Sequence, residues 1–196
     1  SGATPMEVRR DALAAAAELT LAVERLGLGS RTLRATVGEL ALHGGGITTV
    51  PGSVELGIDI RDVDPGRQAA AVAAVTAAAA DICRRRGVEH ELRTRSAIDP
   101  VLVSAWPRLA LQAAAEERGI AYRVMTSGAG HDAAVVARVA PAALLFVPCE
   151  GGRSHVPEES CRIDDLVVAG EILTGGALRL FADVARSSPV PRTPEG

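Results

Sequence analysis

The sequence predicts an α/β chain: a two-layer α+β unit over residues 1–97, then the closing strands and helices of an α/β domain over residues 98–186. Three observations carry this. Val54, Leu56, Ile58 and Ile60 alternate strictly with Glu55, Gly57, Asp59 and Arg61, the two-residue period of a half-buried strand. Ala-rich runs on either side carry helix start and stop signals. Beyond Pro100, apolar strand-like runs alternate with helical ones, the pattern of a mostly parallel sheet.

Thr4-Pro5-Met6-Glu7 offers a capping threonine, a proline at the first helical position and a glutamate three residues after the cap, so a helix is expected from there to Leu26, stopping at Gly27. Leu33, Ala35 and Val37 alternate, and Leu40 and Leu42 continue one residue out of phase across Gly38, which predicts a strand with a bulge. The alternation from Ser53 puts Arg61 on the open face of the next strand. Asp64-Pro65 caps a second helix that ends at Arg86 before Gly87, and Val88 to Arg95 reads as a short polar strand. Helix, strand, strand, helix, strand is a ferredoxin-like order lacking its first strand, so the chain reads as cut at its start.

In the second half a helix is expected from Ala105 to Arg118, a strand from Ile120 to Met125, a short helix from Asp132 to Val139, a buried strand from Ala142 to Val147 and a last helix from Asp164-Asp165 to Ala185. Residues 187–196, with three prolines, read as a disordered tail.

Composition limits the function classes. Hydrophobic residues make up 47% of 196, enough for a real core, whereas aromatic residues are 2% and the net charge is −3, which leaves neither stacking platforms nor a basic stripe for nucleic acid. Arg84-Arg85-Arg86 ends a helix, where cations complement the dipole. No apolar run reaches the roughly 20 residues of a membrane span. Three cysteines without metal-ligand spacing fit a reducing, cytoplasmic setting.

Two glycine-flanked loops carry the chemistry. In Ser127-Gly128-Ala129-Gly130-His131-Asp132-Ala133 the small residues would let backbone N–H groups approach an anion or oxyanion, with His131 and Asp132 beside them; a plain strand-to-helix turn also accounts for them. In Gly151-Gly152-Arg153-Ser154-His155-Val156-Pro157-Glu158-Glu159, His155 is either a metal ligand with Glu158 and Glu159 orienting its ring, or a loop histidine in ordinary hydrogen bonds. Cys149 beside it is a nucleophile or a small buried residue. Four histidines are few for a two-metal centre.

These loops, with Gly2-Ala3-Thr4-Pro5-Met6, Arg9-Arg10-Asp11-Ala12-Leu13, Val50-Pro51-Gly52 and Asp59-Ile60-Arg61, resemble one family from about residue 2 to 186. The chain is similar to the C-terminal half of the amidase/hydantoinase-carbamoylase enzymes: N-carbamoyl-L-amino-acid hydrolases, allantoate amidohydrolases and β-ureidopropionases, within the zinc aminoacylase-carboxypeptidase superfamily. The resemblance implies a lid or dimerisation domain at 1–97, forming a homodimer, and the C-terminal segment of a metallopeptidase-like catalytic domain at 98–186. It implies His155 as a metal ligand, and Arg61, Thr48, Gly128, Ala129, Gly130, His131 and Asp132 as substrate-binding residues, Arg61 gripping the substrate carboxylate across the dimer. The complete enzyme would hold two divalent ions, zinc or manganese or cobalt, activating a water whose proton a glutamate takes, with small carbamoyl or ureido acids as substrates.

The departures matter as well. The family motif reads His-Ala-Gly-Thr/Ala-Thr-Pro-Met, whereas this chain opens Ser1-Gly2 and lacks that histidine, and Thr48 stands where Asn-x-x-Pro-Gly has its asparagine. The general base and the other metal ligands belong to a preceding half, so these residues alone are expected to be inactive. The alternative is a stand-alone, non-catalytic dimerisation or binding module; a mononuclear hydrolase of His131, Asp132 and His155 would lack a general base.

Overall fold

A computed structural model of the chain describes residues 1–187. The chain divides into two compact units between Pro100 and Val101.

The first unit holds helix α1 (Ala12–Leu28), strands β1 (Arg34–His43) and β2 (Ser53–Arg61), and helix α2 (Pro65–Arg86). The strands form an antiparallel pair in which Arg34 faces Arg61 and His43 faces Ser53. The expected bulge is present: the register shifts between Val37 and Glu39, leaving Gly38 as the extra residue. α2 begins and ends as its sequence dictates. The Asp64 carboxylate accepts from Arg67 N at 2.7 Å, Pro65 takes the first turn, and Gly87 closes the helix at φ 62°, a left-handed turn a side chain would oppose. Ala15, Leu19 and Val23 of α1 interlock with Val75, Ala79 and Ile82 of α2, and Val37, Leu56, Ile58 and Ile60 of the sheet pack beneath them. The alanines let two helices approach one sheet face without aromatic filling. At the end of α2 the arginine triplet is paired: Arg85 and Arg86 both reach Glu18 on α1, the latter at 2.7 Å.

α1 departs from expectation at both ends. It starts at Ala12, capped by Asp11, whose carboxylate accepts from Ala14 N at 3.0 Å, and runs through Gly27 to a cap at Gly29. Thr4-Pro5 instead leads into a single 3-10 turn, Met6–Val8. The reason is Arg9, which donates from Nε to the Thr4 carbonyl at 2.8 Å and from Nη2 to the Gly2 carbonyl at 2.6 Å, folding the segment back before a helix can propagate. The predicted strand at Val88–Arg95 has no ladder either: β1 and β2 pair only with each other among the described residues. Its first residue packs on the core and its last, Arg95, bridges Glu39 and Glu55 on the outer face, each at 2.9 Å.

The second unit holds helices α3 (Ala105–Glu117), α4 (Asp132–Val136) and α5 (Ile163–Ser187). Ala114, Ala115 and Ile172 are its buried centre, with Leu111, Ile120, Leu145 and Val168 around them. α5 meets α3 through Gly176, where a Cβ would lie 2.7 Å from Leu111 Cδ2. The segments 120–125 and 142–147, expected as strands of a parallel sheet, carry no ladder bonds here. A strand exists only through a neighbour's backbone, and these two do not pair with each other. Of the expected tail at 187–196, Ser187 ends α5 and the remainder lies outside the described residues. No described helix is long and apolar enough to cross a membrane.

Among the described residues Asp62 is the one buried charge. Position 62 continues the buried parity of Val54, Leu56, Ile58 and Ile60, and its carboxylate is met by Arg67 Nη2, Asp64 N and Thr32 Oγ1, all at 3.0 Å. The Arg67 guanidinium, helped by the amide and the hydroxyl, overcomes the desolvation and holds the carboxyl down at about 2. A depressed carboxylate contributes stability that is complete above its unfolded value of 3.8 and is lost as pH falls towards about 2. The melting temperature of the chain should fall progressively as pH drops through that interval, and Asp62→Asn should flatten the dependence; an equally steep profile in the variant would show that Asp62 is not its source.

Candidate functional site

The sequence-predicted residues fall in both units. In the first unit, the sequence motifs around Gly2 and Val50-Pro51-Gly52 meet. Gly2 N donates to the Thr48 carbonyl at 2.7 Å and Ala12 N to the Pro51 carbonyl at 3.3 Å, so residues 1–12 strap the loop between β1 and β2. Within that loop Gly46 pairs with Thr49, Thr49 N donating to Gly46 O at 3.0 Å. A Cβ at Gly2 would stand 2.7 Å from the Thr48 oxygen, a backbone atom that cannot swing aside. Gly2→Ala should therefore break the strap and cost about 1 kcal/mol of unfolding free energy, read as a fall in the denaturation midpoint and faster exchange of the amides at 46–49. Unchanged exchange there would mean that the contact is dispensable.

Arg61 ends β2 on the exposed face, as the alternation predicts, with Nε 2.6 Å from the Asp59 carboxylate two residues back on the same face. The adjoining Asp62 clamp fixes the main chain immediately after it.

In the second unit the loop after residue 126 is organised by Ser127. Its hydroxyl accepts from Ala129 N and donates to Ala129 O, both at 3.1 Å, and lies 2.8 Å from His131 Nε2. A hydroxyl has one proton, so while that proton points at the carbonyl, Nε2 is the donor; with the other tautomer the serine gives its proton to Nε2 and releases the carbonyl. The His131 ring also stands edge-on to Phe146, with centroids 5.4 Å apart at 65°, and its carbonyl accepts from Ala134 N to open α4. Asp132 is the first residue of that helix. The space a Cβ would fill at Gly128 and Gly130 is open, so packing within the chain does not demand glycine at either position.

The His155 loop is closed at its base: Glu150 N donates to Ser160 O at 2.8 Å and the Ser160 hydroxyl to the Glu150 carboxylate at 3.2 Å. Gly151 and Gly152 turn left-handed at φ 62° and 66°, and His155 itself sits at φ 61°, a conformation uncommon for a non-glycine residue. Glu159 secures it by accepting from His155 N at 2.8 Å. That carboxylate therefore holds the main chain of His155, where the sequence suggests contact with the ring. Among the described residues no three His, Cys, Asp or Glu side chains gather into a group able to hold a metal ion. His155 offers one exposed imidazole, so the residues present do not by themselves fit a metal centre.

Sequence reasoning missed Asp62 and the Ser127–His131 contact. The first had a signal, the parity of position 62; the second had only a spacing of four residues, which fixes no contact in a loop.

Residues 7–179 match the model of peptidase family M20/M25/M40. The chain belongs to peptidase family M20/M25/M40. The resemblance drawn from the motifs is thereby borne out, and M20 relatives make it more specific. A ureidoglycolate hydrolase of Oryza sativa subsp. japonica is 37% identical over 183 residues, covering 92% of this chain and 38% of the relative. An N-carbamoyl-L-amino-acid amidohydrolase of Pseudomonas sp. (strain NS671) is 33% identical, covering 88% of this chain and 42% of the relative. Among solved structures, an amidase of the hydantoinase/carbamoylase family from Burkholderia multivorans superposes with a TM-score of 0.87 at 35% identity, over 91% of this chain and 44% of that one. This M20 chain thus spans about two-fifths of the length of the relatives it matches.

Proposed function

We propose that this chain is the C-terminal part of a metal-dependent amidohydrolase that cleaves a C–N bond of N-carbamoyl-L-amino acids or related ureido acids such as allantoate and ureidopropionate. The family match over residues 7–179, with relatives named for carbamoyl and ureido compounds, carries the reading. Residues 1–97 act as the lid and dimerisation domain of a homodimer and residues 98–186 as a segment of the catalytic domain, in the cytoplasm. Arg61 leaves Asp59 for the substrate carboxylate, a planar fork meeting two oxygens. Thr48, held at the strapped loop, offers a hydroxyl where the family motif has an amide. The Gly128–Gly130 backbone receives the oxyanion that forms at the attacked carbon, with His131 and Asp132 beside it. His155 supplies one ligand of a two-metal centre whose other ligands, like the general base, lie outside these residues. Hydrolysis of an N-carbamoyl group with water then yields ammonia, carbon dioxide and the free amino acid.

The test joins the N-terminal half of a family enzyme ahead of Ser1 and measures ammonia release from N-carbamoyl-L-amino acids, allantoate and ureidopropionate, with and without chelator. Activity in the joined protein, lost on chelation and absent from the 196-residue chain alone, is expected. Activity untouched by chelation overturns metal dependence, and a folded joined protein with no hydrolysis of any of these favours a non-catalytic dimerisation module.

A further inference from the structure

Two of the three cysteines flank the closed base of the His155 loop. The peptide joining Cys149 to Glu150 donates its N–H to the peptide joining Ser160 to Cys161, at 2.8 Å, and the chain reverses between them. The Glu150 and Ser160 side chains meet at 3.2 Å on one side of this pair. Cys149, extended at φ −101° and ψ 144°, lies just before this closing contact on one arm of the loop, and Cys161 lies just after it on the other. That bond sets the two arms side by side at the cysteines, and a disulfide between them needs Cα atoms about 4.4–6.8 Å apart. Both thiols are free and half-buried. Cys149 Sγ rests 4.0 Å from the Val147 carbonyl oxygen, a weak contact that a χ1 rotation surrenders. Cys83 differs: it lies on α2 in the other unit, and burial pushes its thiol up, which disfavours the thiolate.

We propose that Cys149 and Cys161 form a reversible disulfide across the base of the His155 loop, made by exchange with a small-molecule disulfide. One thiolate attacks a sulfur of the reagent, forming a mixed disulfide and releasing one thiol; the second cysteine, deprotonated, attacks the protein-bound sulfur, closing the intramolecular bond and releasing the second thiol. The reagent's two sulfurs are reduced, the two cysteines oxidised, and two protons leave the cysteines for the two released thiols. The bond would tie together the two ends of the loop on which His155 holds its left-handed backbone, and a reductant would release it. This is independent of any hydrolytic role.

The test uses the 196-residue chain with oxidised glutathione, followed by blocking with N-ethylmaleimide, trypsin and mass spectrometry. Trypsin cuts at Arg138, Arg153 and Arg162, placing Cys149 in peptide 139–153 and Cys161 in peptide 154–162, so an intramolecular bond appears as these two peptides joined and lighter by two hydrogens. That product is expected from monomeric protein, with Cys83 still alkylated and the bond reversed by dithiothreitol. Cys161→Ser, checked for folding by circular dichroism, should retain glutathione on Cys149, at about tenfold the level of the parent, because the resolving thiol is gone. Glutathione persisting on Cys149 in the parent at the level of the variant, linkage through Cys83 instead, or no reaction at either loop cysteine overturns the proposal.

Discussion

Replacing Arg61 by alanine in the joined, complete enzyme should raise KM for an N-carbamoyl-L-amino acid about a hundredfold, with a smaller effect on kcat. The magnitude follows from the bond removed. Truncating one partner of a hydrogen-bonded charge pair away from water costs about 2–5 kcal/mol, and about 2.7 kcal/mol is a factor of one hundred. Arg61 reaches out from an exposed strand end already paired with Asp59, so part of the binding energy is spent on exchanging one carboxylate for another. Lysine should restore only a fraction, because an ammonium presents a point charge in place of a two-pronged fork. Asp59→Asn removes the competing carboxylate and should lower KM. The decisive control is a substrate whose carboxylate is replaced by an amide: the Arg61 variant and its parent should handle it alike. A KM unaltered by Arg61→Ala, or raised equally for both substrates, would remove Arg61 from carboxylate binding.

Ile82→Ala should destabilise the first unit by about 2–5 kcal/mol, the range for deleting a large aliphatic side chain from a packed core. Ile82 is 4% exposed and lies among Leu19, Val23, Val75 and Ala79. With two helices resting on one face of a two-stranded sheet, few neighbours can move into the space left behind. Val72→Ala, on the same helix but 47% exposed, should change stability by less than about 0.5 kcal/mol. Denaturant titration of the chain separates them, and equal midpoints would mean that the α1/α2 interface collapses around the deletion.

Local signals were legible wherever the chain closes its own hydrogen bonds. Asp64-Pro65 and Gly87 bound α2 at the residues expected, and the phase change across Gly38 located the bulge. The start of α1 was misread because its cap competes with a tertiary device: Arg9 binds the carbonyls of Gly2 and Thr4, and no local propensity encodes the reach of that guanidinium. The segments 88–95, 120–125 and 142–147 have strand-like composition, but a ladder needs a second backbone, which periodicity cannot supply. For the site, the alternation in β2 correctly gave the exposed side of Arg61. The glycines and histidines of the two loops were visible as a pattern; which atoms they bind was not. Glu159 illustrates why: four residues from His155, its carboxylate can meet either the ring or the main chain, and the left-handed turn at His155 turns the amide towards it.

The strap between the first residues and the β1–β2 loop is fastened by main-chain atoms at both points, Gly2 N to the carbonyl of residue 48 and Ala12 N to the carbonyl of residue 51. Every amino acid carries that carbonyl. The identity of residue 48 is therefore uncoupled from the architecture that presents it, so the loop keeps its shape whether a hydroxyl or an amide stands there. In the function proposed above, position 48 becomes a socket in which substrate preference can be altered without rebuilding the fold, whereas Gly2, whose missing side chain makes the approach possible, is the part that such variation must leave alone.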